Sequence, residues 1–125
     1  MRHTIKLSAR YYETDQSGVV HHSVYPMWFE MGRTELLRTS GLVYKNLEQA
    51  GLFFVVVELH VRYYLPARYD EELELETTCT AASRAALKHS YRLTRCLDGA
   101  LLTEGTTLLA CAGKDGRACR IPKNI

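Results

Sequence analysis

The chain has 125 residues, enough for one domain spanning 1–125 and too few for two independent cores. Apolar residues make up 46% and charged residues 24%, which fits a folded globular chain better than a disordered or bilayer-spanning one. The net charge of +2 comes from scattered basic residues with no run among them, so nucleic acid is not an expected partner.

The longest apolar run, LFFVVV at 52–57, falls far short of the roughly 20 residues a membrane helix needs. The opening MRHTIKLSAR has no apolar core of the signal-peptide kind. Cys79, Cys96, Cys111 and Cys119 form no C-x-x-C pair, so reduced thiols and a cytoplasmic location are expected.

Residues 4–10 alternate, with Ile5, Leu7 and Ala9 on one side, and read as a half-buried strand. A polar loop holding Asp15 and Gly18 follows. From Ser23 the period turns helical: Val24, Met27, Trp28, Met31 and Leu36 form the expected apolar stripe. Ser23 is a candidate cap, and Pro26 suits a first turn. Glu30 and Arg33 fall on the more polar side, and Thr39-Ser40-Gly41 should end the helix. A shorter helix is expected from 43, stopping at Gly51.

The rest reads as strands. Residues 52–65 are rich in valine and aromatics, and Pro66 closes them. In 71–81, Leu73, Leu75, Thr77 and Cys79 alternate with glutamates; in 86–96, Leu87, His89, Tyr91 and Leu93 share one face. Asp98-Gly99 and Asp115-Gly116 mark turns around a strand over 101–113, with a bend expected at Gly105 and an irregular tail from 120. This order predicts an α+β domain in which an antiparallel sheet wraps one helix. So long a sheet served by one helix leaves an edge or face uncovered, so self-association is expected.

Asp15 is the first candidate site residue. A surface aspartate near a glycine is by default a turn residue. Here, however, it stands between a strand and the start of a helix, whose first N–H groups lack intrahelical partners and carry the positive end of the dipole. Such donors stabilise a developing oxyanion by about 2.7–4 kcal/mol each. Asp15 would then sit beside a polarised carbonyl, as nucleophile or as general base on a water. Gly18 would give the loop its tight turn and let a ligand approach the backbone. His21 and His22, paired at a helix start, read first as a cap or as solvated residues, and with no third ligand at metal spacing no metal is expected. His22 is a candidate helper near neutrality, while His3, His60 and His89 read as structural.

RYYETDQSGVVHHSVYPMWFEMGRTELLR resembles the N-terminal signature of the hotdog-fold acyl-CoA thioesterases. It is closest to the group holding the 4-hydroxybenzoyl-CoA and Tol-Pal-associated enzymes. The family's pattern is met by Tyr11, Tyr12, Asp15, Gly18, Val19, Val20, His22, Tyr25, Trp28 or Phe29, Glu30 and Arg33. VRYYLPARYDEELELET is a second match, and the resemblance runs nearly to the end of the chain.

The resemblance implies a hotdog fold, a long central helix wrapped by an antiparallel sheet. It implies hydrolysis of a short-chain or aromatic acyl-CoA, Asp15 and His22 as catalytic residues, and the His22 N–H as the carbonyl-polarising donor. Gly18, Val20, Tyr25, Arg84 and Lys88 are the implied substrate contacts, the last two as candidates for the CoA phosphates. Tyr25, Trp28, Phe53, Phe54 and Val56 are candidates for the acyl pocket, each also explicable as plain core. No cofactor is implied. A homodimer or homotetramer with the site between subunits is implied. The alternatives are an acyl-carrier-protein thioesterase, or a non-catalytic acyl-carrier-binding subunit. A hotdog dehydratase would need a His and an acidic partner from different elements, and that arrangement is not evident.

Overall fold

The computed structural model describes residues 1–41 and 44–121. Strand β1 spans Arg2–Ser8, and a 3-10 turn at Tyr11–Glu13 leads into the Asp15 loop. A second 3-10 turn, His22–Val24, runs directly into helix α1, Tyr25–Arg38. Helix α2 (Tyr44–Gln49) precedes β2 (Leu52–Tyr63), β3 (Glu72–Ser83), β4 (Ala86–Arg95) and β5 (Leu101–Gly113). The strands form one antiparallel sheet in the order β1-β3-β4-β5-β2, with α1 against its inner face. The expected hotdog architecture is therefore present. Val43, where the second helix was expected to begin, and the tail residues 122–125 lie outside the described residues.

The alternation of β3 and β4 is realised as read: Leu73, Leu75, Thr77 and Cys79, and Leu87, His89, Tyr91 and Leu93, are all buried. The outer face carries the charges. One row runs Glu76–Arg92–Glu104–Arg62 across β3, β4, β5 and β2 with alternating sign, and Arg92 meets Glu104 at 3.3 Å. Each such exposed pair contributes about 0–1 kcal/mol, so the row is chiefly a solvated face.

The helix is rotated from the expected stripe. Its buried face is Tyr25, Trp28, Phe29, Gly32, Arg33, Leu36 and Leu37, while Met27 and Met31 are 58% and 48% exposed. Two glycines account for this. A Cβ on Gly32 would collide with Thr77 and Leu75 of β3, so the helix backbone can come this close only there. A Cβ on Gly105 would enter the Phe29 ring, which stacks on Tyr91 at 4.2 Å. Gly105 is thus a seat for Phe29 within β5, where a bend was expected. Burying such a phenylalanine contributes about 1.5–3 kcal/mol. Arg33, expected on the polar side, is carried inward by the same rotation and lies near the Tyr91 hydroxyl, which itself bonds the Thr107 hydroxyl at 2.6 Å.

Strand β2 is an edge. Val55, Val56, Val57 and Leu59 are each more than 40% exposed, and the register with β5 slips between Val56 and Glu58. A long apolar edge of this kind invites pairing with another strand.

Candidate active site

Residues 14–20 form a tight hairpin. Thr14 bridges Val20, Asp15 N–H donates to Val19 O at 2.8 Å, and Gly18 N–H donates to Asp15 O at 3.1 Å. Gly18 has φ +82°, a conformation glycine enters without steric cost, and no atom lies within 4 Å of where its Cβ would be. The Asp15 carboxylate accepts from the Ser17 hydroxyl at 2.5 Å and the Ser17 N–H at 2.8 Å. Asp15 is therefore the turn residue that composition favours, as an Asx turn. The same bonds give it chemical character: the Ser17 hydroxyl foremost, then the N–H groups of Ser17 and Val19 and the charge of His21, hold its carboxyl below the usual range despite some desolvation. It is an exposed, well-ionised carboxylate.

The loop is fastened to the helix. Glu13 accepts from Arg10 N–H at 2.7 Å and from the Trp28 indole at 3.0 Å, so α1 and the residues before Asp15 move as one. His21 N–H donates to Glu13 O at 2.9 Å, and Val20 N–H to Ala67 O at 2.8 Å. The His22–Val24 turn follows at once. Its cap is the His21 ring, whose Nδ1 accepts from Ser23 N–H at 3.2 Å, and not the Ser23 hydroxyl that the sequence suggested. Val24 N–H is taken by His21 O at 3.0 Å. The His22 N–H, first of the turn, has no hydrogen-bond acceptor among the described residues. Tyr63, at the end of β2, donates its hydroxyl to His22 O at 2.8 Å.

The other expected contacts are distributed differently. Val20 is buried, and Tyr25 is 2% exposed between Trp28 and Tyr63 with its hydroxyl accepting from Ala67 N–H, so within one chain neither is open to a ligand. Phe53 and Phe54 are half-buried, and Val56 is exposed on the edge strand. Arg84 lies in the β3–β4 turn and Lys88 is exposed on β4. The Asp15 loop joins the sheet near Ala67 and Glu71, and 12 residues of β3 separate Glu72 from Arg84, about 40 Å of strand. One chain does not bring Arg84 or Lys88 to Asp15.

Three of the four contributors, all but the His21 cap, were not foreseen. Ser17, His21, Glu13 and Tyr63 set the carboxylate, the turn and the fastening between them. Asp15-Gln16-Ser17-Gly18 carried a signal for Ser17, since aspartate first and glycine fourth suit a type I turn. His21 caps as its place at a helix start suggested, although histidine is not a favoured cap. Beside the turn runs a groove of about 500 Å³ lined by Tyr12, Glu13, His21, Met27, Trp28 and Met31 among others, which explains why the two methionines face outward.

One long helix wrapped by a five-stranded antiparallel sheet is the architecture of the hotdog-fold thioesterases. The chain belongs to the thioesterase-like superfamily, whose model matches residues 9–125. It is similar to the acyl-CoA thioester hydrolase YbgC of Escherichia coli O6:H1, 37% identical over 102 residues, 81% of this chain and 75% of that one. A hypothetical protein of Thermus thermophilus has a solved structure with TM-score 0.90 and 43% identity, covering 99% of this chain and 92% of its own. The 1,4-dihydroxy-2-naphthoyl-CoA thioesterase of Synechocystis shares the fold at TM-score 0.94 and 18% identity, over 99% and 92% of the two chains.

Proposed function

We propose that this enzyme hydrolyses a short-chain or aromatic acyl-CoA, with Asp15 as the attacking carboxylate and the His22 N–H as the oxyanion donor. The observation that carries this is the pairing of an ionised Asp15 with the acceptor-free His22 N–H on one hydrogen-bonded loop. A carboxyl held below its usual range is a poor general base near neutrality, where the best base has a pKa near the working pH. It remains anionic throughout, which favours the nucleophilic route. An Asp15 oxygen adds to the thioester carbon and the carbonyl oxygen takes up negative charge on the His22 N–H. Collapse expels the CoA thiolate and leaves a mixed anhydride, which water cleaves to the acid and free Asp15. The groove beside the turn lies within the usual range for small ligands, about 300–1,000 Å³, and suits a short or aromatic acyl group. YbgC, named for acyl-CoA, and the naphthoyl-CoA enzyme support that class.

The site is completed by a second copy. Strand β2 begins beside Gly113, at the Arg84 end of the sheet, and finishes at Tyr63 beside His22. Two β2 edges paired antiparallel about a two-fold axis set the Tyr63 end of one against the Leu52 end of the other. Arg84 and Lys88 of the second copy then approach the first copy's Asp15 end, where the CoA phosphates would lie. The assembly is a homodimer or a pair of such dimers.

Thiol release with Ellman's reagent over a panel of acyl-CoAs tests the reading. Asp15→Asn keeps the Asx turn and removes the charge, and should lower kcat about 100- to 10,000-fold with unchanged folding. If the wild-type protein cleaves no acyl-CoA above the buffer rate, the function is wrong. If Asp15→Asn turns over like wild type, the site is wrong.

A further inference from the structure

We propose that His21 is a positioning residue of this site: its neutral ring shapes the His22 turn, and its protonation releases that turn. The inference rests on the hydrolase reading above and adds a control to it. Nδ1 accepts from Ser23 N–H at 3.2 Å and lies 2.7 Å from Ser23 Oγ. The tautomer assigned from the Ser23 N–H bond carries its proton on Nε2 and lets the Ser23 hydroxyl donate to Nδ1 as well. The same residue's backbone bridges two segments, its N–H to Glu13 O and its O to Val24 N–H. Its ring lies 4.2 Å from that of His22 at 31°. His21 therefore ties the Asp15 loop, the oxyanion turn and the His22 ring together. By taking the second N–H of the turn, it leaves the first, that of His22, as the one facing a substrate.

Histidine changes charge between about pH 5 and 8. When Nδ1 takes a proton it becomes a donor, and Ser23 N–H loses its acceptor. A positive charge then stands at the positive end of α1. The loop presents Tyr12, Glu13 and Asp15 nearby; the His22 ring lies tilted against the His21 ring, Tyr63 reaches the turn from β2, and Arg68 comes from the segment bridged to Val19.

Two measurements test this on the whole protein. In the first, the Ser23 amide is followed by ¹⁵N NMR from about pH 5 to 8. It should shift with the His21 ring titration, and a Ser23 amide that stays still while His21 titrates overturns the proposal. The second compares kcat and KM of His21→Ala and His21→Asn with wild type. Alanine should lower kcat about tenfold at constant KM, the rate equivalent of a lost cap. Asparagine, an acceptor that does not titrate, should restore kcat to within about twofold and abolish the acid limb of its pH profile. Wild-type kcat in His21→Ala, or an acid limb surviving in His21→Asn, overturns it. Failure of the hydrolase reading shows separately, as absent thiol release by wild type, and the Ser23 titration then decides the proposal alone.

Discussion

The two halves of α1 treat ionisable groups in opposite ways. At its N-terminal end Asp15, His21 and His22 are exposed and held by hydrogen bonds; beneath its second half Arg33 and His89 are sealed against β4. The larger pKa perturbation belongs to the sealed half, where burial first and Arg33 second push His89 down to about 4. Yet the cavity that Arg33 and His89 share with Leu36, Phe54, Cys79 and Leu87 holds only about 10 Å³, room for no more than a water. A strongly shifted group marks a site only where a ligand fits beside it. The exposed end has the space and the acceptor-free donor, and in the proposed dimer a second copy supplies its walls.

Breaking the assembly separates the halves most sharply. Val55→Lys with Val57→Lys charges two exposed residues of the β2 edge, each about half exposed, and should cost the chain's own fold little. Sedimentation should report monomers, and thiol release should fall at least about tenfold, because one chain leaves Arg84 about 40 Å, and Lys88 about 27 Å, of strand from the Glu72 end of β3. The interior half, complete within one chain, should keep its urea midpoint. A monomer with full turnover would show that the exposed end needs no partner.

His89→Gln acts on the other half alone. An unfolded histidine protonates near 6.5, whereas folded His89 does so only near about 4, so between those values the unfolded chain binds more protons. Its contribution is whole above 6.5 and is lost as pH falls through about 4, about 3 kcal/mol in all. Glutamine removes that dependence. Urea unfolding at neutral pH and near pH 4 should show wild type losing more stability than the variant by about this amount, with turnover at neutral pH unchanged. Equal losses in the two proteins would place the acid sensitivity elsewhere.

The exposed end was the more legible half. Asp15, Gly18 and His22 lie on one short loop, so spacing alone joins them, and alternation alone orders the faces of β3 and β4. What composition could not carry is long-range contact. The rotation of α1 depends on where Gly32 and Gly105 admit the helix, and those glycines meet it through Thr77, Leu75 and Phe29, far away in sequence. Arg33 read as polar because nothing local announces the buried surroundings near Tyr91 and His89 that receive it. Arg84 and Lys88 were reached by resemblance, and their distance from Asp15 is a property of strand length that a motif does not encode.

Tyr63 is where the edge strand and the oxyanion turn meet, and its removal should give the smallest effect. Tyr63→Phe deletes the 2.8 Å bond to His22 O and keeps the edge-on packing of the ring against Tyr25 at 5.1 Å. One neutral hydrogen bond contributes about 0.5–1.5 kcal/mol net, and Tyr63 is 46% exposed, so water recovers part of it and thermal unfolding should move by only a few degrees. The bond fixes the carbonyl of His22, whose N–H is the proposed oxyanion donor. If that orientation is used in the transition state, kcat falls by no more than about tenfold while KM holds. Burial already raises the Tyr63 hydroxyl above its ordinary range, so the donor persists throughout the working pH and the effect should be flat with pH. A loss confined to unfolding temperature, with kcat untouched, would make Tyr63 a fastening of β2 to the turn and would separate the edge from the chemistry.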